Sequence, residues 1–235
     1  MLRRMTDRIL GVLGGMGPLA SAHFMLRLTV LTPAARDQDH IPAVLWSDPR
    51  VPDRTGARTG GADPLPWLQR GIRGLRDAGC QAIAIPCNTA HGWHDELLAE
   101  GLPILHIVDA AALALRQVVT GGTIGVMGTT ATLTMRLYQD RLEAQGWSCI
   151  APSHAEMTDR VSPAIAAVKA NRLADAYAPL AEAVRSLAAR GAHAVVLGCT
   201  EIPLGIQAGP HADLAVPLID TIDSLALAAI AWARS

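Results

Sequence analysis

The chain has 235 residues, half of them hydrophobic, and a formal net charge of −1. That length suits one large core or two α/β domains of about 100 residues each, and the charge balance excludes long-range attraction to nucleic acid or an anionic membrane. No apolar run approaches the roughly 18–20 residues that span a bilayer, and four cysteines without C-x-x-C or zinc spacing fit a reducing cytoplasm rather than a disulfide scaffold.

Arg3-Arg4 stands ahead of an apolar stretch, as in an export signal, but Gly14-Gly15-Met16-Gly17-Pro18 interrupts that stretch. The segment reads instead as a first strand, Ile9–Leu13, and its loop. A helix follows from Pro18 to about Val30, with proline in its first turn. Ala43–Trp46 is a second strand, and the Gly-rich polar stretch 54–64 reads as a mobile loop. Trp67–Ala78 is helical and Ala82–Ile85 is a strand. Thr123–Met127 and Ala194–Leu197 are further strands, with helices around Thr132–Gln145, Pro163–Lys169 and Ala174–Ala189. This alternation predicts an α/β fold with mainly parallel sheets.

The two halves share landmarks in one order and at a nearly constant offset. Val12-Leu13-Gly14 matches Val126-Met127-Gly128, Cys87 matches Cys199, and Pro103–Asp109 matches Pro217–Asp223. These matches imply an internal duplication: two similar, pseudo-symmetric α/β domains with parallel sheets. Residues 1–110 plus 219–235 hold Cys87, and residues 111–218 hold Cys199. The active site is expected in the cleft between them, where strand-end loops meet.

The two cysteines carry the strongest chemical signal. Each follows a short apolar run, in Ile85-Pro86-Cys87-Asn88-Thr89 and in Leu197-Gly198-Cys199-Thr200-Glu201, and each opens onto small polar residues able to start a helix. A thiol at a strand end and helix start is favoured as thiolate, and a pair of such thiols suggests acid–base chemistry on opposite faces of one small substrate. Cys80 and Cys149 lack this setting and read as structural. His91, one helical turn after Cys87, either tunes that thiolate or caps and packs a helix. Glu201 raises the Cys199 pKa if it points inward, and otherwise serves the surface or a supporting role. The 14–18 glycine loop either brings N–H groups to an anion or is a tight turn. Arg54, at the front of the 54–64 stretch, is a carboxylate clamp or a solvated loop arginine. Lys169 is the one lysine in a chain otherwise committed to arginine, which marks it as a functional candidate beside the plain reading of a surface lysine.

Seven stretches spread over nearly the whole length resemble the cofactor-independent aspartate/glutamate racemase family. They are GVLGGMGPLAS (11–21), TPAARDQDH (32–40), SDPRVPDRT (47–55), IPCNTAH (85–91), AVKAN (167–171), GCTEI (198–202) and VPLID (216–220). The cysteine motifs mark the wider superfamily; the 32–40 and 47–55 stretches point to its aspartate racemase branch. The resemblance implies an isomerase that interconverts L- and D-aspartate by a two-base transfer between Cys87 and Cys199. It implies Arg54 and Lys169 as binders of the substrate carboxylates, with Met16, Asn88, Thr89, Thr130 and Thr200 lining the pocket. It implies no cofactor, neither PLP nor a metal, a small-molecule substrate (aspartate or glutamate), and a homodimer. Asn171 stands where family members commonly carry Gly, a mild departure because Asn also tolerates left-handed dihedrals, and no histidine equivalent to that of glutamate racemases follows Cys199. The alternatives within the superfamily are a glutamate or broad-specificity racemase, a hydantoin racemase, or a maleate isomerase that uses a cysteine as nucleophile. Outside it stands a non-catalytic binder of acidic amino acids, which has no need of two thiols.

Overall fold

A computed structural model describes residues 8–210, 214 and 216–235, so Arg3 and Arg4 lie outside the described residues. Contacts divide the chain into two compact units, one of residues up to Ala110 with Ile222–Ser235 and one of Ala111–Thr221.

The first unit runs β1 (Leu10–Gly14), α1 (Pro18–Leu31), β2 (Ala43–Ser47), α2 (Arg54–Ala57), α3 (Leu65–Asp77), β3 (Ala82–Ala84), α4 (His94–Leu98), β4 (Ile104–Leu105) and the start of α5 (Ile107–Val118). Its four strands are parallel in the order β2-β1-β3-β4, with Leu10 opposite both Ala43 and Ala82. Every residue of β1 is buried, as expected of a central strand covered on both faces. Leu68, Ile72 and Leu75 place one face of α3 in the core with Leu13, Ile83, Ile85 and Leu97.

The second unit continues from α5 through β5 (Thr123–Gly128), α6 (Thr130–Thr134), α7 (Gln139–Glu143), β6 (Ser148–Ile150), α8 (His154–Glu156), a π-turn at Met157–Val161, α9 (Ser162–Lys169), α10 (Leu173–Ala189), β7 (Ala192–Gly198), α11 (Glu201–Gln207) and β8 (Leu218–Asp220). Its sheet is also parallel, in the order β6-β5-β7-β8. This is the same order as in the first sheet, so the duplication expected from the landmarks is present at the level of topology. Leu180, Val184 and Leu187 face the core from α10. The chain then returns to the first unit as α12 (Thr221–Arg234). There Arg27 on α1 grips Asp223 with Nε and Nη2 at 2.5 and 2.7 Å.

Two sequence readings need correction. The helix expected over Thr132–Gln145 is two short helices, α6 and α7. Thr129 caps the first by accepting from the Thr132 N–H. Arg136 then takes a left-handed φ of 52°, which ends one helix and lets its guanidinium meet Asp140 and Glu143 at 2.6 Å each on the next. The 54–64 stretch, expected to be loop throughout, opens with the helical turn α2, because the Asp53 carboxylate caps it at the Gly56 N–H.

One ionic cluster ties the end of β2 to α3. Asp48 is buried and receives Arg50 Nε and Nη2 at 2.9 and 3.0 Å and Arg70 Nη2 at 2.8 Å. Both guanidinium groups also lie against the Trp67 ring. The Asp48 backbone in turn sits against Gly15, whose φ of +90° and lack of Cβ allow that approach. The two arginines hold the Asp48 carboxyl well below the usual carboxylate range. Its contribution is therefore present above the ordinary pKa of about 3.8 and is lost as pH falls toward the depressed folded value. Asp48→Asn is expected to lower the melting temperature by a few degrees at pH 7, and the gap to wild type should narrow below about pH 4. Identical melts at pH 7 would contradict this role.

Candidate functional site

In the first unit Cys87 lies just past the end of β3, beyond Ile85 and Pro86, and its N–H donates to the Ile85 carbonyl at 2.8 Å. The next element is a 3-10 turn, Thr89–Trp93, and not the α-helix the sequence suggested. It spans five residues and runs directly into α4. Cys87, Asn88 and Thr89 are all buried.

His91 settles one open alternative. Its Nε2 accepts the Ile107 N–H at 3.2 Å, and Nδ1 is 3.0 Å from the Cys87 carbonyl. A ring that accepts at Nε2 carries its proton on Nδ1, so His91 is a neutral donor to the Cys87 backbone. It positions the residue that bears the thiol. His106 packs against both His91 and His94, with ring centroids 4.8 and 4.7 Å apart.

Arg54 is not a solvated loop arginine: only 8 % of it is exposed. Nη1 donates to the Val51 and Pro52 carbonyls at 3.3 and 3.1 Å, and Nη2 donates to the Met16 carbonyl at 2.9 Å. Nε is buried and, among the described residues, has no hydrogen-bond partner. A guanidinium carries five N–H donors, so this one is fixed by three carbonyls and still offers unused donors, as a carboxylate clamp requires. Met16 is buried beside it and belongs to the glycine loop. The Gly15 N–H in that loop is spent on Ser21 Oγ at 2.9 Å, and Ser21 Oγ donates to the Gly17 carbonyl at 2.8 Å. The tight-turn reading accounts for these glycines, and the positive charge of this half-site comes from Arg54.

In the second unit Cys199 follows β7 directly and precedes α11. Glu201 points inward. It is 3 % exposed, and the Cys199 thiol donates to its Oε2 at 3.0 Å. Burial first, then the Glu201 carboxylate, push the Cys199 pKa well above that of a free thiol, while Lys169 opposes the shift. Cys199 is therefore a thiol at neutral pH. Thr200, buried beside it, directs its hydroxyl to Glu201 Oε2 at 3.4 Å. Behind this loop Tyr138 is fully buried, and its ring occupies the space a Cβ at Gly198 would need. Thr221 Oγ1 fixes the strand end by donating to the Leu197 carbonyl at 2.9 Å.

The remaining candidates divide. Lys169 is exposed at the last residue of α9, yet its charge acts on Cys199. Thr130 is exposed at the first residue of α6, just beyond β5. Cys80 is buried, and Cys149 is half-buried with its pKa pushed up to about 11, chiefly by burial. Among the described residues no group of three or more His, Cys, Asp or Glu side chains is arranged to hold a metal ion, and no helix is long and apolar enough to cross a membrane. Tyr138 escaped the sequence reading because nothing local marks a residue that supports a strand end some sixty positions away.

A sequence profile described as Asp/Glu/Hydantoin racemase matches residues 13–229. The aspartate racemase of Picrophilus torridus superposes with a TM-score of 0.84 at 30 % identity, covering 96 % of this chain and 94 % of its own. The broad-specificity amino-acid racemase RacX of Bacillus subtilis is 26 % identical over 223 residues, 93 % of this chain and 95 % of the relative. A glutamate racemase of Francisella tularensis, solved with D-glutamate, shares the fold with a TM-score of 0.72 at 17 % identity, covering 96 % of this chain and 81 % of its own.

The Cys199–Glu201 contact makes a direct prediction. Thiolate is the species that alkylates, and Glu201→Gln removes the charge that suppresses it. At pH 8, iodoacetamide should label Cys199 about tenfold faster in Glu201→Gln than in wild type, as read from the modified peptide by mass spectrometry. An unchanged rate would mean that Glu201 does not hold the proton on Cys199.

Proposed function

The chain belongs to the Asp/Glu/Hydantoin racemase family of isomerases, and we propose that it interconverts L- and D-aspartate by a two-base, two-cysteine proton transfer without PLP or metal. One observation carries this reading: in each unit a buried thiol follows the third strand of a parallel sheet, Cys87 after β3 and Cys199 after β7. Equivalent thiols on duplicated scaffolds suit a reaction that removes a proton on one face of a carbon and returns one on the other.

In the proposed cycle Cys87, as thiolate, takes the α-proton, and the electron pair left on the α-carbon delocalises into the adjacent carboxylate. Cys199, held as a thiol by Glu201, gives its proton to the opposite face. The turn ends with Cys87 as thiol and Cys199 as thiolate beside a carboxylate; the starting state returns when Cys87 gives its proton to solvent and Cys199 takes one back. The reverse direction exchanges the roles. Arg54 supplies the unused, buried donors that fit a carboxylate. Lys169 adds positive charge near Cys199. Met16, Asn88, Thr89, Thr130 and Thr200 complete the lining. All four cysteines are free, which suits a cytoplasmic enzyme whose catalytic thiols must stay reduced. Family membership, with Leu26 and Val30 exposed on the outer face of α1, supports a homodimer.

A second reading, broad specificity over amino acids, is favoured by the full-length match to RacX. One methylene between aspartate and glutamate is a small discrimination in binding energy. The test is the decay of circular dichroism from L-aspartate, L-glutamate and L-alanine in separate cuvettes, with reductant and EDTA and no added PLP. Decay to zero with aspartate alone is expected. Decay with all three would establish the broad reading, and no decay with any would remove the racemase reading.

A further inference from the structure

Arg54 sits on a helix too short to hold itself. α2 has four residues, well below the length at which an isolated helix is stable in water. Most of its bonds stay within the segment: Asp53 caps Gly56, and the Ala57, Thr59 and Gly61 N–H groups donate to the Asp53 and Gly56 carbonyls at 2.9 Å. Ala57 also packs against the core cluster. Beyond Arg54 itself, Arg58, the residue that caps the end of α2, makes a polar tie to another element. Its guanidinium carbon lies 4.1 Å from the centroid of the Trp93 ring, and Nη2 donates to the Gly92 carbonyl at 2.6 Å.

The element it reaches is the one that carries the thiol. Gly92 and Trp93 close the 3-10 turn that begins at Thr89. Trp93 is buried in the same core cluster as Cys87, and His91 of that turn holds the Cys87 carbonyl. We propose that Arg58 is a positioning residue that clamps α2 onto the Cys87 turn through Trp93 and Gly92, and so fixes where the Arg54 guanidinium presents its unused donors. The consequence for substrate rests on the racemase reading above; the clamp itself does not.

The clamp acts on binding more than on proton transfer, because Arg58 is exposed and touches neither thiol. With a cation–π contact and one hydrogen bond lost, Arg58→Ala is expected to raise the KM for aspartate about tenfold with kcat changed less than about twofold. Amide hydrogen exchange at Ala57, Thr59 and Gly61 should quicken about tenfold, while β3 exchanges as in wild type. Arg58→Lys, which keeps a cation over the ring, should recover both readouts to within about threefold of wild type. Unchanged exchange in Arg58→Ala overturns the clamp, and accelerated exchange with an unchanged KM overturns its service to Arg54. A wild-type chain that racemises no acidic amino acid removes the parent reading instead, and the exchange comparison then still decides whether the clamp exists.

Discussion

A thiol that donates to a buried carboxylate cannot ionise cheaply. Burial removes the water that would solvate a thiolate, and the negative charge of Glu201 opposes a second one 3.0 Å away. The role proposed for the second unit depends on this contact. Cys199 is kept as a thiol, Lys169 tempers the effect without reversing it, and Tyr138 and Thr221 lie behind the strand end that carries it. Among the described residues of the first unit, no carboxylate is hydrogen-bonded to the Cys87 thiol. There a neutral imidazole holds the Cys87 backbone, and a fixed guanidinium supplies positive charge. Two halves of one topology thus surround their cysteines differently, and the proposed cycle uses that difference to decide which thiol gives and which takes.

The duplicated sheet makes this economical. A parallel strand order repeated as β2-β1-β3-β4 and β6-β5-β7-β8 places a cysteine shortly after the third strand of each unit, so in the proposed cycle one fold supplies both acid–base groups. The cost is that each thiol needs local support from elements remote in sequence. In the first unit that support comes from the 3-10 turn at Thr89–Trp93, the glycine loop through Met16, and the short helix that bears Arg54. In the second it comes from the segment before α7, the end of β8 and the C-terminus of α9.

Much of this was legible in the sequence for identifiable reasons. Strand cores such as Val12 and Val126, buried on both faces, leave a short apolar run bounded by glycine, and the landmark pairs exposed the repeat. The candidate thiols stood out because a small polar run after an apolar strand is unlike a core cysteine. What failed was local. A left-handed residue at Arg136 split a predicted helix, and nothing in propensity reports a backbone angle stabilised by ion pairs four and seven residues on. The Asp53 cap made a helical turn inside a stretch whose glycines read as loop. Side-chain direction was equally hidden: whether His91 tuned or positioned, and whether Glu201 faced in or out, depended on partners such as the Ile107 N–H, sixteen residues distant.

The central claim is that each cysteine serves one face of the α-carbon, and the most direct measurement is enantiomer-resolved exchange in D2O. Cys87→Ser and Cys199→Ser would each be incubated separately with L- and D-aspartate, with α-deuterium read by NMR and configuration by chiral chromatography. Both variants should lose racemisation by at least about a hundredfold. Each should still exchange the α-proton of one enantiomer only, and the two variants should choose opposite enantiomers. Near-normal racemisation by either variant, or exchange of the same enantiomer by both, would contradict the two-base account.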